Sequence, residues 1–124
     1  MAGALILIVE DNDKNLKLAC DLLQHDGFRT LEAETAAAAI ALAEQRVPDL
    51  ILMDIQLPDM DGVTALGRLR EMGTTTSIPV VALTAFAMAG DRERLLAAGF
   101  DGYLAKPIDI HNFSDSVRQY CEPT

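Results

Sequence analysis

The chain has 124 residues, half of them hydrophobic, and its 10 basic and 19 acidic residues give a formal net charge of −9. This length and composition predict a single folded domain over residues 1–124, without an output domain, and argue against disorder. The acidic balance argues against direct nucleic-acid binding, because affinity for the phosphate backbone comes mainly from Lys and Arg. The apolar run at 4–9 is far too short to span a bilayer, so we expect a cytoplasmic protein that does not bind membranes.

The beginning of the chain predicts a buried strand, a helix and an edge strand. The apolar strand at 5–9 is followed by Asn12 and Asp13, either of which can cap a helix. Gly27 ends that helix at a position where a left-handed residue is favoured. The next strand, at 28–33, contains charged residues, which indicates an edge of a sheet.

An alanine-rich helix follows. Thr35 is its expected cap and Arg46 lies near its end. Ile40, Ala43 and Val47 recur at helical spacing, so we expect them to face the core.

A third strand leads directly to a carboxylate. Its four apolar residues, 50–53, follow Pro48 and predict a strand buried on both faces. Asp54 ends the run, and the chain then turns at Pro58 and Gly62. Ligands of open parallel sheets bind outside the carboxyl ends of the strands, which makes Asp54 the candidate reacting group.

The second half continues the alternation of helix and strand. The predicted elements are a helix from Gly62 to Gly73, a strand at 78–83, a helix at about 88–98, a strand at 101–105 and a last helix. The residues expected to face inward from the third and last helices are Val63, Leu66, Leu69, Met72, Ile110, Phe113, Val117 and Tyr120. Five strands that alternate with five helices predict an α/β fold, a doubly wound parallel sheet with right-handed crossovers and helices on both faces.

Polar side chains follow four of these strands directly. They are Glu10 and Asp11, then Asp54, Thr84 and Lys106. Because the strands are parallel, we expect all of these side chains at the carboxyl edge of the sheet. The convergence of four strand ends on one group is more informative than any single residue.

The chemistry of this group indicates phosphoryl transfer. Three converging carboxylates repel one another unless a cation lies between them, and oxygen ligands without His or Cys suit Mg²⁺. We expect Asp54 to attack phosphorus, Lys106 to offset charge on the phosphoryl oxygens and Thr84 to donate a hydrogen bond to one of them. No His or spare carboxylate is evidently placed to drive fast hydrolysis, so the phosphoryl group should persist on the protein.

Four ordered motifs resemble those of a known family. They are Val9-Glu10-Asp11-Asn12, Met53-Asp54-Ile55-Gln56-Leu57-Pro58-Asp59-Met60-Asp61-Gly62, Leu83-Thr84-Ala85 and Tyr103-Leu104-Ala105-Lys106-Pro107. Together they resemble the receiver domain of two-component response regulators, in the CheY-like superfamily. Within this family, the segments at 53–58 and 84–91 are most similar to DivK-type stand-alone receivers, which regulate kinases in cell-cycle control.

The resemblance implies a flavodoxin-like sheet with strand order 2-1-3-4-5 and a phosphorelay function. Asp54 would accept a phosphoryl group from a sensor histidine kinase or a histidine phosphotransfer protein. A downstream target protein would then bind the face formed by helix 4, strand 5 and helix 5. Such a domain catalyses only its own phosphorylation and dephosphorylation and is not an enzyme for a separate substrate.

The resemblance also implies roles for individual residues. Mg²⁺ would be held by Asp11, Asp54 and the carbonyl of Gln56, with Glu10 reaching it through water. Many family members have Asp where this chain has Glu10, so direct and water-mediated ligation by Glu10 both stay open. Thr84 and Tyr103 would form the switch pair, and the peptide bond from Lys106 to Pro107 would be cis.

Two other interpretations compete with the receiver. Asp11-Asn12-Asp13 is similar to the Asp-x-Asp of haloacid-dehalogenase phosphohydrolases, which also form an aspartyl intermediate. That chemistry would put the nucleophile on the first strand and would want a cap domain, and neither signal is present. A receiver-shaped scaffold that is never phosphorylated is disfavoured because all the site residues are present.

One further residue borders the expected path of the hydrolytic water. Phe86 lies two residues beyond Thr84, as Gln56 lies two beyond Asp54. An aromatic ring cannot orient a water by hydrogen bonding, so we expect slow dephosphorylation that replacement of Phe86 would accelerate.

Overall fold

A computed structural model describes residues 3–85 and 90–121. Within these ranges the strands are β1 (Leu5–Val9), β2 (Arg29–Ala33), β3 (Leu50–Asp54), β4 (Val80–Thr84) and β5 (Gly102–Ala105). The helices are α1 (Asp13–His25), α2 (Ala36–Arg46), α3 (Gly62–Glu71), α4 (Asp91–Ala98) and α5 (Phe113–Cys121). The predicted alternation of strand and helix is confirmed.

The five strands form one parallel sheet in the order β2-β1-β3-β4-β5. This confirms the predicted doubly wound fold and places β2 at an edge. At the carboxyl ends, Val9 pairs with Met53, Asp54 with Leu83, and Thr84 with Ala105. The strand ends are therefore level with one another, so the residues that follow them share one edge of the sheet.

The core has two layers because alternate residues of a strand point to opposite faces. Leu7, Val9, Ile51 and Met53 are buried on one face, together with residues of α2 and α3. Ile6, Ile8, Leu50 and Leu52 are buried on the other face, against α1 and α5. The three central strands are buried along their whole length, which is why they read as continuous apolar runs.

The predicted helix ends agree with the capping geometry. The Asn12 side chain accepts hydrogen bonds from the N–H groups of Lys14 and Asn15, at 3.0 and 3.1 Å. Thr35 caps α2 through the N–H of Ala38, at 3.1 Å. Gly27 has a φ of 93°, in the left-handed region that the sequence led us to expect after α1.

Three residues predicted to face the core are exposed instead. Val47 is 48% exposed because it lies beyond α2, with a left-handed φ of 44° that turns it off the helical stripe. Val63 is also 48% exposed, since the buried stripe of α3 consists of Gly62, Ala65, Leu66 and Leu69. Ile110 is 56% exposed because α5 begins three residues later, at Phe113.

Some strand and helix starts also differ from the prediction. β4 begins at Val80 rather than at residue 78, which is consistent with the missing N–H of Pro79. The start predicted for the fourth helix falls at 88–89, outside the described residues, and its described part follows Gly90. Within the described ranges, no helix combines the length and apolarity needed to cross a membrane.

Candidate functional site

The carboxyl edge of the sheet brings the predicted acidic residues together. Glu10 follows β1, Asp11 is the next residue, and Asp54 is the last residue of β3. Each offers a carboxylate oxygen within 4.8 Å of the other two. Glu10 and Asp54 are buried and Asp11 is exposed, so the cluster is open to solvent on the Asp11 side.

Lys106 reaches this cluster from the far side of β4. Its Nζ lies 2.6 Å from Asp54 Oδ2 and 2.9 Å from Glu10 Oε1. The backbone beneath it is fixed because the Lys106 N–H donates to the carbonyl of Thr84, at 2.8 Å. The peptide bond from Lys106 to Pro107 is cis, as the resemblance implied. One cation is thus shared by two buried carboxylates.

The Asp54 carboxylate is held at both oxygens. Oδ1 accepts the N–H of Gln56 at 2.9 Å, and Oδ2 accepts from Lys106. The following backbone is tied to the sheet, because the Ile55 N–H donates to the carbonyl of Leu83 at 3.2 Å. These contacts fix the orientation of the carboxylate at the rim of the core, where Asp54 is only 4% exposed.

One carboxylate oxygen of Glu10 has no hydrogen-bond partner in the part of the chain that the structure describes. The residue is 2% exposed, and Oε1 pairs with Lys106. Oε2 is buried without a hydrogen-bond partner among residues 3–85 and 90–121. Burial of an unsatisfied carboxylate oxygen is costly, which indicates that another group completes this site.

Burial and the neighbouring charges shift the pKa values of Glu10 and Lys106. Burial, followed by the neighbouring Asp54 carboxylate, raises the pKa of Glu10 even though Lys106 opposes the shift. Burial alone would lower the pKa of Lys106, but its contacts with Asp54 and Glu10 outweigh that effect and raise it. Lys106 is therefore a fixed positive charge at neutral pH.

The residues present fit a magnesium ion. The cluster offers carboxylate oxygens only, and the unsatisfied Glu10 Oε2 adds a buried lone pair. Oxygen ligands at an exposed rim suit a hard cation that keeps several waters, which is how Mg²⁺ binds to proteins.

Thr84 and Gln56 lie at the same edge of the sheet, whereas Tyr103 lies two residues before the end of β5, opposite Ala82. Thr84 is the last residue of β4 and is 1% exposed. Tyr103 is half-buried on the edge strand β5 and packs against the core layer that contains α2 and α3. The Gln56 side chain is exposed, and its backbone N–H is used by Asp54. Phe86 lies outside the described residues.

The structural role of Asp59 is not apparent from the sequence. Its two carboxylate oxygens accept the N–H groups of Ala36 and Ala37, both at 2.9 Å, at the start of α2. The only local signal was an aspartate in the turn between Pro58 and Gly62, and nothing in that turn indicates a partner more than 20 residues away.

Comparison with known proteins identifies the family. The model of the response regulator receiver domain matches residues 6–118. The polar-differentiation response regulator DivK of Brucella ovis is 42% identical over 115 residues, which cover 93% of this chain and 94% of that protein. DivK of Brucella abortus is similar to the same extent.

Solved structures agree with this result. The receiver domain of the sensor histidine kinase PA1611 from Pseudomonas aeruginosa, with a magnesium ion in its active-site cleft, is 37% identical with a TM-score of 0.87. The match covers 97% of this chain and 98% of that one. A CheY-like receiver domain protein from Methanospirillum hungatei is 27% identical with a TM-score of 0.85, over 96% and 94% of the two chains. The family match decides against the haloacid-dehalogenase alternative, and the chain belongs to the response regulator receiver domain family.

Proposed function

We propose that this receiver accepts a phosphoryl group on Asp54 and passes the signal on by binding a partner protein. The observation that carries the proposal is the shared position of Asp54, Glu10 and Lys106 at the end of the sheet, with Lys106 Nζ 2.6 Å from Asp54. The family match over residues 6–118 supports a sensor histidine kinase or histidine phosphotransfer protein as the phosphoryl donor.

The metal part of the proposal is Mg²⁺ held by Asp11, Asp54 and the backbone carbonyl of Gln56. Glu10 would contribute directly or through a water, and its unsatisfied Oε2 supports such a part. When bound, the ion supplies positive charge opposite the phosphoryl oxygens. The magnesium in the cleft of the PA1611 receiver supports the same choice of ion.

Residues of the protein itself would carry out the other steps of phosphoryl transfer. An Asp54 oxygen attacks phosphorus while the bond to the donor nitrogen breaks, and the nitrogen keeps the electron pair. The Gln56 N–H orients the Asp54 carboxylate, and Lys106 exchanges its contact with Asp54 for one with a phosphoryl oxygen. Thr84, at the adjacent strand end, donates its hydroxyl hydrogen to another phosphoryl oxygen.

Phosphorylation would then bias the neighbouring face of the domain. A phosphoryl group adds about −1.5 to −2 charges and three acceptor oxygens, with phosphoserine as the guide. Thr84 would move toward one of these oxygens, and Tyr103 would fill the space it leaves. A groove of about 510 Å³ on the α4, β5 and α5 face, lined by residues that include Leu96, Tyr103 and Tyr120, supports this face as the docking surface for the downstream target.

The relatives support the wider setting of this proposal. The alignment with DivK covers 94% of that protein's own length, which supports a single receiver domain that acts without an attached output domain. A cytoplasmic location and a part in cell-cycle control belong to the same proposal, the latter supported by the polar-differentiation function in the name of DivK.

The experiment uses acetyl phosphate as a small donor and intact mass as the readout. Wild type should gain one phosphoryl group in Mg²⁺ and none in EDTA. Asp54→Asn should gain none, whereas Asp21→Asn, at an exposed aspartate on α1, should behave as wild type. A stable phosphoryl group on Asp54→Asn, or equal gain in EDTA, would contradict the proposal.

A further inference from the structure

Asp59 ties the segment after Asp54 to a different helix. We call residues 55–61, between β3 and α3, the β3–α3 loop. Asp59 lies in this loop, yet its Oδ1 accepts the N–H of Ala36 and its Oδ2 accepts the N–H of Ala37, both at 2.9 Å. A helix begins with N–H groups that have no partner within the helix, and a carboxylate that accepts two of them forms a strong, charge-assisted contact.

The start of α2, which Asp59 contacts, is packed in the core. Ala36 and Ala39 of α2 are fully buried in the core layer against the sheet. Thr35 caps the same helix end from within the chain, through the N–H of Ala38. Asp59 and Thr35 therefore satisfy different N–H groups of one helix end, and of these two residues it is Asp59 that connects the helix end to the β3–α3 loop.

The β3–α3 loop contacts the Asp54 carboxylate directly. The Gln56 N–H orients Asp54 Oδ1, and the Gly62 N–H donates to the carbonyl of Ile55 at 3.0 Å. Asp61 caps α3 through the N–H of Thr64 at 2.8 Å. The loop is thus fixed to the sheet and α3 at its two ends, and Asp59 supplies a contact to α2 near its middle.

We propose that Asp59 is a positioning residue, which holds the β3–α3 loop against α2 so that the backbone of Gln56 stays in place for metal binding and phosphoryl acceptance at Asp54. This inference rests on the proposed function for its consequence, but the restraint itself is a property of the fold. The two backbone hydrogen bonds lower the pKa of Asp59, so its carboxylate is ionised and can accept both N–H groups at neutral pH.

The chain offers a matched pair of substitutions to test this. Asp59→Ala and Thr35→Ala each remove a side-chain cap from the same end of α2, so both should lower the melting temperature by similar amounts. Only Asp59→Ala also releases the loop. Asp59→Asn, which keeps one acceptor oxygen, should lie between wild type and Asp59→Ala and provides a second variant should the alanine protein fold poorly.

The first readout is amide hydrogen exchange in metal-free buffer, followed at Ile55, Gln56 and Gly62. Asp59→Ala should accelerate exchange at these amides by roughly tenfold, whereas Thr35→Ala should leave them at the wild-type rate. The second readout is Mg²⁺ affinity from calorimetric titration. Loss of an outer contact that orients a ligand typically weakens metal binding by roughly tenfold or more, so we expect that loss for Asp59→Ala alone.

The proposal is overturned if Asp59→Ala and Thr35→Ala give the same loop exchange and the same Mg²⁺ affinity. Faster loop exchange with unchanged affinity would also overturn it, because the restraint would then have no effect on the site. Failure of the proposed function looks different: wild type itself would neither bind Mg²⁺ nor gain a phosphoryl group from acetyl phosphate.

Discussion

Lys106 Nζ lies 2.6 Å from Asp54 Oδ2, although the two side chains come from β3 and from the end of β5, which are separated in the sheet by β4. The same ammonium lies 2.9 Å from Glu10, at the end of β1. Lys106, which follows β5, therefore contacts residues at the ends of both β1 and β3. Before phosphorylation, the positive charge of Lys106 is in direct contact with Asp54, the proposed phosphoacceptor.

This arrangement predicts that Lys106→Ala is destabilising mainly when no metal is present. The substitution leaves two buried carboxylates without their cation, and breaking a buried pair from one side costs about 3–5 kcal/mol. Because the Lys106 side chain is 19% exposed, we expect a loss near the lower end of that range in EDTA. Mg²⁺ should restore most of the stability, which denaturant unfolding with and without the ion will measure.

A surface lysine provides the control for this experiment. Lys17 pairs with Asp21 at 3.5 Å, but its side chain is 79% exposed. Lys17→Ala should change the free energy of unfolding by less than about 1 kcal/mol in either buffer. Equal effects of the two substitutions in EDTA would show that the contacts of Lys106 do not stabilise the fold.

Glu10 predicts an unusual pH dependence of stability in metal-free buffer. Its pKa in the folded protein is raised above the ordinary value of 4.5, so the folded state binds this proton more tightly than the unfolded state does. The contribution of Glu10 to stability is therefore fully present below pH 4.5, and it is lost as the pH rises through the pKa that Glu10 has in the folded protein. Thermal melts in EDTA should show this loss in wild type and a smaller one in Glu10→Gln. Identical pH profiles for the two proteins would contradict the raised pKa.

Cys20 predicts a second pH effect, at alkaline pH. Burial, together with the charge of Glu32, raises the pKa of the Cys20 thiol from 9.0 to about 11. The folded state resists ionisation, so its contribution is present below pH 9 and is lost between pH 9 and 11, by roughly 2–3 kcal/mol. Cys20→Ala should lose less stability than wild type over this range. Unfolding titrations at pH 8 and 11 measure the difference, and parallel losses would refute the assignment.

Two glycines predict opposite effects of the same substitution. A Cβ at Gly102 in β5 would collide with the ring and hydroxyl of Tyr120 in α5, whereas a Cβ at Gly67 in α3 meets nothing within 4 Å. Gly102→Ala should therefore destabilise the protein by about 1–3 kcal/mol. Gly67→Ala should stabilise it by about 0.5–1 kcal/mol, because alanine loses less backbone freedom in a helix.

The collision itself can be tested with a double substitution. In a Tyr120→Ala background, Gly102→Ala should cost much less than in wild type, because the ring that it meets is gone. Thermal or denaturant unfolding of the four proteins gives this coupling directly. Additive effects would show that Tyr120 is not what excludes a side chain at Gly102.

Local patterns in the sequence were sufficient for the element order and for the convergence of Glu10, Asp11, Asp54 and Lys106 at one edge of the sheet. Continuous apolar runs predicted the buried strands, and Asn12, Thr35 and Gly27 predicted helix ends that the structure confirms. These signals work because hydrogen bonding and capping are decided by residues a few positions apart. The convergence was predictable because parallel strands bring their carboxyl ends to a common edge, whereas the roles of these residues in phosphoryl transfer stay predictions.

Helical stripes were less reliable, and the errors have a common cause. Val47, Val63 and Ile110 have the right spacing for a buried face, but all three are exposed. Spacing gives the relative positions of residues around a helix and not the point where the helix starts or the direction in which it faces. The neighbouring sheet decides those, as the buried stripe of Gly62, Ala65, Leu66 and Leu69 shows for α3.

The sequence by itself determined which residues stand at the strand ends, because apolar runs and turn residues mark those ends locally. Only the tertiary structure decided which of them touch. The sharing of Lys106 between Asp54 and Glu10 depends on strand order and register. The contact of Asp59 with the start of α2 spans 22 and 23 residues of chain. Such contacts form only when separate elements pack together, and a local sequence pattern does not indicate which distant elements will become neighbours.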